Sequence, residues 1–425
     1  MKILDKAKAL GRELTARRTE KKKLRGPTGL QFAIADRIQL LNPDAWDRAA
    51  AKVGFFMSRK YFAALEAALP ENISPRYALI FDDATDGAPP TPLAAVYLQI
   101  AKIGVREVRP IKAGAASSHP AKKWLAPTTE KLVDRAEQQV LVCGNLLVYG
   151  QHGVAFAEGA DADVVWHGVA EILFRVRQME KLLGKTHFVM IKDLHDEHIK
   201  NAKKLEKLSY RYVETEPNML LTLDPAWKSH DDYLASLASK YRSSARNSVF
   251  KPIDEAGCTV ESLDDIEPVA ARIHALYRDV QMNASFRPFA LPENYFATLQ
   301  RAAGAQARCT VIKREGQLLG FMFSVADGDT SIAYHIGFDR AATATLPIYL
   351  RLLHAAIGDA IALGCKRVSF GRTALDPKAA LGAKPQTFGV LLRHRQPVIN
   401  KLIKHLLLGI EHEDAPERNP FKKAV

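Results

Sequence analysis

Two short runs in the last third of the chain hold side chains suited to acid–base and anion-binding chemistry. The first is Tyr334-His335, with Asp339 four residues further on, in an apolar segment that predicts a strand. Because imidazole titrates near neutral pH, His335 is the predicted general base, and Asp339 is predicted to orient His335 or an amine. The alternatives are a core histidine and a turn residue before a helix. Tyr334 is also a candidate, although strand alternation predicts that it points to the opposite face from His335.

The second run is Gly371-Arg372-Thr373, followed by Lys378 and then Gly382. A strand that ends in Gly-Arg-Thr places a cation at the edge of a sheet where open α/β proteins bind ligands. Arg372, Thr373 and Lys378 are therefore predicted to contact phosphate, with surface salt bridges as the alternative.

Further candidates lie upstream of these two runs. Arg242 and Arg246 are four residues apart, so both guanidinium groups are predicted on one face of a helix that also carries Tyr241. These three residues are predicted to contact substrate, and a solvated helix face is the alternative. His152, in a glycine-flanked turn, is predicted to line a cleft between domains or to be an ordinary loop histidine.

The chain repeats the order of its predicted elements. Tyr61-Phe62-Ala63-Ala64-Leu65 returns as Tyr295-Phe296-Ala297-Thr298-Leu299, and each copy is followed by strands, a long helix and another strand. Such a repeat predicts a duplicated α/β domain. We predict a basic helical arm over 1–28, a first domain over 29–223 and a catalytic second domain over 224–425. The second domain ends with an amphipathic helix over 397–410. Since the Gly-Arg element has no counterpart in the first half, the reaction site is predicted in the second, with the first forming a wall of the cleft.

Composition limits the class of protein and its partners. The 425 residues are 47% apolar and 25% charged, as in ordinary globular proteins, and no apolar run reaches the roughly 18 residues of a membrane span. The basic amino terminus lacks an apolar signal-peptide core, so a cytoplasmic protein is predicted. The four cysteines are far apart, which favours reduced thiols without a metal site. The net charge of +13 suggests nucleic acid, an anionic membrane surface or a phosphate-rich ligand as partner. Both basic ends could rest on the inner membrane or pack on the protein itself.

The order of these motifs resembles the acyl-CoA N-acyltransferase (GNAT) superfamily, and more narrowly its Fem-type branch of tandem-domain enzymes. The branch's pattern is a Lys-Tyr-Arg helix, strands and a helix, and a closing Gly-Arg … Lys … Leu-Gly element. It stands here as Lys240-Tyr241-Arg242, Gly371-Arg372, Lys378 and Leu381-Gly382. The resemblance covers nearly the whole chain. It implies a mixed α/β (α+β) fold of two tandem GNAT-like domains, each a twisted mixed sheet flanked by helices.

The resemblance implies an N-acyltransferase that moves an acyl group from acyl-CoA or an acyl carrier protein to a primary amine, with no permanently bound cofactor. Typical members hold the coenzyme A pyrophosphate with a glycine-containing loop that opens the central helix. The corresponding stretch here, Arg340 to Pro347, has no glycine, and Arg340 is the predicted contact.

Three functions therefore stay open. One is acylation of an amine, including a long-chain amphiphilic amine such as a sphingoid base at the membrane surface. The second is aminoacyl-tRNA-dependent transfer to a peptidoglycan precursor, with tRNA as the phosphate-rich partner. The third is a non-catalytic lipid- or RNA-binding protein on a GNAT fold.

Overall fold

The computed structural model describes residues 26–83, 89–104, 137–182, 184–284, 287–407 and 416–422, together with residues 15, 19 and 22. Most of the predicted basic arm, the last residues of the predicted helix over 397–410 and part of the tail lie outside the described residues.

The described residues form one continuous mixed sheet. Its strands in chain order are β1 (Gln31–Ala35), β2 (Ile73–Phe81), β3 (Pro92–Gly104), β4 (Glu137–Cys143), β5 (Val154–Phe156), β6 (Thr186–Leu194), β7 (Arg211–Thr222), β8 (Cys258–Leu263), β9 (Ala307–Arg314), β10 (Gln317–Asp327), β11 (Thr330–Phe338), β12 (Arg367–Ser369) and β13 (Lys384–His394). Across the sheet the order is β1-β2-β3-β4-β6-β13-β7-β12-β11-β10-β9-β8, and β5 pairs with β3. Within this described sheet, β4–β6 and β11–β12 are the two parallel pairs.

Helices cover both faces of the sheet. They are α1 (Pro43–Ala49), α2 (Arg59–Ala67), α3 (Ala162–Met179), α4 (Asp196–Ala202), α5 (His230–Ser236), α6 (Ser239–Ala245), α7 (Lys251–Glu255), α8 (Ala270–Gln281), α9 (Tyr295–Ala303), α10 (Arg340–Thr343), α11 (Ile348–Ala362), α12 (Leu375–Ala380) and α13 (Pro397–Leu407). A π turn, Arg246–Phe250, joins α6 to α7. Short 3-10 turns are Ile38–Leu40, Phe55–Met57, Glu180–Leu182, Lys203–Leu208, Glu267–Val269 and Gly304–Gln306. No helix in the described part of the chain is long and apolar enough to span a membrane.

Local sequence signals explain several helix starts. The Asn42 side chain accepts a bond from the Ala45 N–H and Pro43 opens α1, while the Asp161 carboxylate accepts bonds from the first turn of α3. Ser229 and Asp232 form a reciprocal capping box at the start of α5. Each cap satisfies backbone N–H groups that have no partner inside the helix.

The last strand of the chain joins the two halves. β13 lies between β6 and β7, antiparallel to both, and β7 pairs with β12 on its other side. The strand before the predicted domain boundary at 223 therefore borders strands from the second half on both sides. That boundary stays a prediction.

Three apolar cores follow from this arrangement. One combines side chains of both halves, among them Trp46, Tyr61, Tyr295 and Phe323. A second packs α3 against the first half of the sheet, and a third packs α11 against the second half. The repeated Tyr-Phe segments lie in α2 and α9, which contact each other inside the shared core.

Asp224-Pro225 and the apolar spacing after it predict a helix that starts at Asp224 and runs on through Asn247, but this helix is not continuous. It divides into α5 and α6 because Leu237 adopts an extended conformation and forms a β-bridge with Phe421. The prediction of one helix was wrong here, since a distant tail residue supplies the backbone partner at Leu237.

Candidate active site

One strand of each parallel pair borders the β7–β13 ladder: β6 lies beside β13, and β12 lies beside β7. These two strands run in opposite directions, so their carboxyl ends point towards each other across the ladder. Leu194, the end of β6, lies opposite Gly389 in β13, while Ser369, the end of β12, lies opposite Leu220, which faces Lys384. The two strand ends are thus five residues apart along β13, or roughly 17 Å. The loops that follow the strands close this gap. Ligands bind outside the carboxyl ends of strands in open α/β sheets, so this junction is the candidate active site.

A buried ion cluster occupies the junction. The fully buried Asp193 carboxylate contacts both the Lys192 ammonium and the Arg372 guanidinium, and it accepts a bond from the Gly150 N–H at 3.0 Å. Burial alone would raise the pKa of Asp193, but the charges of Lys192 and Arg372 outweigh burial and lower it. Two cations and one carboxylate leave a net charge of +1 facing the junction.

Aromatic rings hold Arg372 in place. Its guanidinium carbon lies 5.4 Å from the centre of the Tyr149 ring and 5.2 Å from that of the Phe388 ring. Cation–π contacts of this kind orient a guanidinium as well as stabilise it. Tyr149 is 38% exposed, so it forms the solvent side of the cluster.

The turn that presents Arg372 depends on Gly371 and Asn218. The Asn218 side-chain oxygen accepts bonds from the Ser369 hydroxyl at 3.0 Å and the Gly371 N–H at 3.1 Å. Gly371 has a φ of +77°, and a Cβ atom there would lie 2.9 Å from the Tyr149 ring. Both the backbone conformation and the close approach of the first half therefore require glycine.

Lys378 lies in α12 beside this turn. It is buried, and burial lowers its pKa to about 7, with a smaller opposing effect from the Glu216 carboxylate. Glu216 and Pro217 stand opposite Thr387 where the β7–β13 register shifts, so an irregularity in β7 faces the junction. Because its pKa is about 7, Lys378 can lose a proton near neutral pH. Thr373, between Arg372 and Lys378, is exposed.

His335 and Tyr334 lie side by side in the shared core. The strand is bulged here, because Phe323 pairs with His335 whereas Ser324 pairs with Ala333. The two rings are 4.4 Å apart, and each is 6.4 Å from the Tyr295 ring. The prediction that they point to opposite faces was wrong, because strict alternation fails at a bulge. Burial lowers the pKa of His335 to about 3, and its Nε2 has no partner among the described residues.

His152 lies between the halves, and its role as a cleft residue stays a prediction. It is buried, its Nε2 is 3.1 Å from the Tyr149 carbonyl oxygen, and its Nδ1 is 3.8 Å from Asp327 of the second half. Burial lowers its pKa, and Asp327 opposes that effect. Its ring also contacts Phe56, which in turn contacts Tyr334. His152 thus connects the Tyr149 loop to the core around His335.

The remaining sequence candidates have other neighbours. Asp339 caps α10 by accepting bonds from the Ala341 and Ala342 N–H groups, and it pairs with Arg272. Those backbone bonds lower its pKa more than the Arg272 charge does. None of its described contacts is with His335. Arg340 is exposed at the start of α10.

The candidate residues of α6 are also separate from the ion cluster. Arg242 donates to the Leu237 carbonyl at 3.0 Å and to the Ala235 carbonyl, so it satisfies the end of α5. Tyr241 packs at the edge of the core around α11, and Arg246 is exposed where the π turn begins. These side chains do not meet Arg372 in any described contact.

Two open grooves are lined by residues that are close in sequence to the ion cluster. A groove of 380 Å³ is lined by residues that include Val53, Gln151, Val154, Phe156, His195 and His198. A groove of 690 Å³ on the other side of α4 is lined by residues that include Asp196, Lys200, Lys203, Gln386 and Thr387. The Gln151 Oε1 atom is buried without a partner among the described residues. No group of described His, Cys, Asp and Glu side chains could hold a metal ion.

The sequence prediction missed Lys192, Asp193, Tyr149 and Asn218. A signal for the first pair exists, because Lys192-Asp193 ends a strand of the first half as Gly371-Arg372 follows one in the second. Nothing local to Tyr149 or Asn218 indicates that they support Arg372.

Comparisons with known proteins agree with this architecture. The family model of the acetyltransferase (GNAT) domain matches residues 239–379, which include His335, Arg372 and Lys378. No curated protein matches the sequence. Among solved structures, FemX is similar with 12% identity and a TM-score of 0.50, covering 86% of this chain and 98% of FemX.

Two further solved structures have lower similarity scores. A tandem GNAT protein from the clavulanic acid biosynthesis pathway has 11% identity and a TM-score of 0.48, covering 87% of this chain and 99% of its own. L-PGS from Bacillus licheniformis has 13% identity and a TM-score of 0.43, covering 82% and 95%.

The family match lies on the half that supplies Arg372 and Lys378, and the FemX likeness covers both halves of the fold. Residues 239–379 therefore match an acetyltransferase (GNAT) domain, which indicates an acyltransferase, and the chain has the fold of FemX.

Proposed function

We propose that this acyltransferase moves an acyl group from an acyl thioester, acyl-CoA or an acyl carrier protein, to a primary amine. The observation that carries the proposal is the junction of the two parallel strand ends, which holds the net-positive cluster of Arg372, Lys192 and Asp193. Lys378, in α12, follows Arg372 in the sequence, and the charge of Glu216 acts on both Lys378 and Tyr149. Anionic phosphate on the donor's pantetheine arm suits the positive charge of this junction, which supports phosphate contacts by Arg372 and the neighbouring Thr373.

The transfer needs a neutral amine, a proton acceptor and a donor to the developing oxyanion. The amine nitrogen attacks the thioester carbonyl, the C–N bond forms, the C–S bond breaks, and the amine proton passes through a base to the thiolate. Lys378 suits this exchange because its pKa of about 7 lies near the operating pH. His335 is neutral at that pH, but its pKa of about 3 makes it a weaker base than its residue type predicts.

We propose that the acceptor amine enters along the 380 Å³ groove. Two of its lining residues are close in sequence to the ion cluster, since Gln151 follows Gly150 and His195 stands two residues after Asp193. The unpaired Gln151 oxygen would accept an N–H bond from the acceptor, while Val53, Val154 and Phe156 offer apolar surface. The lining also includes Lys52, Glu158 and His198, so a groove with both apolar and charged side chains favours an amphiphilic amine, including a long-chain one. His152 lies behind the same loop.

The base is tested with initial rates of amine acylation across neutral pH. The wild-type rate should rise through about pH 7 as Lys378 loses its proton, and Lys378→Met should remove this limb and lower the rate about 100-fold or more. Lys378→Arg keeps the positive charge without a titratable base. If the arginine variant keeps the wild-type rate and profile, Lys378 is a phosphate contact only.

The donor is tested by thermal stabilisation, because a ligand that binds only the folded state raises the unfolding midpoint. Acyl-CoA of several chain lengths should stabilise the protein, and Arg372→Gln should weaken that shift. The net charge of +13 favours tRNA as the competing donor partner. Salt-sensitive tRNA binding without any shift by acyl-CoA would replace the thioester with an aminoacyl-tRNA donor.

A further inference from the structure

One end of the sheet carries several exposed apolar side chains, which lie on two parts of the chain. At this end β6 and β7 begin and β13 ends, so the last turn of α3, the turn Glu180–Leu182 and the start of α13 meet there. These side chains, here called the apolar end, are Phe174, Met179, Leu182, Val398 and Leu402, which are 47% to 96% exposed. Half of the ten exposed large apolar residues in the described chain therefore lie at one end. Single exposed apolar residues are ordinary, whereas a cluster marks an interaction surface.

Backbone contacts join the strands from which the two parts of the apolar end emerge. The Arg395 N–H donates to the His187 carbonyl at 2.9 Å, and His394 pairs with Phe188, so the start of β6 and the end of β13 are joined. On α3, the Arg177 guanidinium lies 5.6 Å from the Phe174 ring. Burial and the charge of Arg393 both lower the pKa of Arg177, so α3 lies close to the end of β13.

Cations surround these apolar side chains. Lys181, Lys185, Arg395 and Lys401 are exposed, and Arg177 and Arg393 are half-buried. Of the described carboxylates at this end, Glu180 is buried against Arg76, Glu206 accepts the Tyr212 N–H, and Glu137 is exposed at the start of β4. The apolar end is therefore strongly positive.

We propose that the apolar end docks on an anionic lipid bilayer. Apolar side chains enter the boundary between headgroups and acyl chains, while the surrounding lysines and arginines contact lipid phosphates. A second copy of the chain fits this surface poorly, because a two-fold interface would place the same cations opposite one another. This inference concerns a surface distinct from the ion cluster and does not depend on the proposed chemistry.

The test is co-sedimentation of the full chain with vesicles of phosphatidylcholine alone or mixed with phosphatidylglycerol. Binding should require the anionic lipid. Leu182→Glu/Val398→Glu should weaken it about tenfold or more, since each side chain loses apolar burial and gains a repelled charge. Lys181→Glu/Lys185→Glu should weaken it about fivefold or more for each charge removed and make it less dependent on salt. Every variant keeps residues 1–25, so binding by the basic arm is common to all samples.

The matched control is Leu40→Glu/Met282→Glu, which places the same charges at residues 69% and 50% exposed elsewhere on the surface. It should bind vesicles as the wild type does. Equal binding by the control and by Leu182→Glu/Val398→Glu would overturn the proposal, as would failure of the wild type to bind anionic vesicles. If light scattering shows that Leu182→Glu/Val398→Glu only converts a dimer to a monomer, the surface is a protein interface instead.

Discussion

Replacing Asp193 with asparagine isolates the charge that holds the two halves together at the candidate active site. The asparagine side chain would keep an oxygen for the Gly150 N–H, and asparagine tolerates the positive φ of 56° at this position. The new side chain would no longer neutralise Lys192 and Arg372, both of which are largely buried.

The expected cost follows from burial. Removing one partner of a buried ion pair leaves an uncompensated charge and typically costs about 3–5 kcal/mol. Such a loss is a large fraction of the roughly 5–15 kcal/mol that stabilises most folded proteins. The measurement is the free energy of unfolding in urea at pH 7, followed by tryptophan fluorescence.

The chain offers a matched control in a second Asp–Arg pair near β12. Asp329 pairs with Arg367, but their side chains are 46% and 43% exposed, so Asp329→Asn should cost about 1 kcal/mol or less. Equal losses for the two variants would refute the reasoning, because burial would then make no difference.

The pH dependence gives an independent check on Asp193. Its pKa is lowered in the folded protein, so its contribution is present above the unfolded value of about 4 and is lost as pH falls through the folded value. The difference between wild type and Asp193→Asn should therefore be constant near neutral pH and shrink only in acid.

Two further predictions concern backbone and histidine positions. Gly371→Ala should lower the free energy of unfolding by about 2–4 kcal/mol and reduce acyl transfer. The control is Gly364→Ala, which has a similar φ of +69° but open space around it, and it should lower the free energy of unfolding by about 1 kcal/mol in the same assay. His230 and His354 are 3.2 Å apart, and burial lowers the pKa of His230 to about 4 and that of His354 well below its usual value. The stability that depends on both histidines being neutral is present above the unfolded pKa of about 6.5 and is lost as pH falls. The thermal midpoint of His230→Phe/His354→Leu should therefore fall less in acid than that of the wild type. Equal curves of midpoint against pH would contradict this.

Local patterns predicted most elements of the fold. Apolar runs predict strands over Tyr77–Phe81, Cys258–Leu263 and Leu318–Val325, which lie within β2, β8 and β10. Helical spacing predicts a helix over Val269–Met282, which is α8. Hydrophobic spacing and turn residues act over a few residues, so a single sequence reveals them. β13 was missed, because its place between β6 and β7 is set by partners that are 164 to 206 residues away in sequence.

The candidate site also contains some residues that local sequence predicts and some features that only tertiary contacts produce. Arg372 and Lys378 stand out in sequence because cations after a strand end are a local signal. Neighbouring residues in the sequence could not predict the low pKa of His335, because it depends on burial by surrounding rings. Nor could they predict that Tyr334 and His335 lie side by side, because this depends on a bulge in the pairing with β10.

By itself, the sequence determined the duplicated order of strands and helices, the GNAT-like motifs and the two cations of the second half. Only the tertiary structure decided that Asp193 neutralises Arg372, 179 residues away, and that Tyr149 packs on Gly371. The physical reason is that a charge or an aromatic ring acts through distance and burial in space. Strand pairing sets both, by placing the ends of β6 and β12 on opposite sides of one shared ladder.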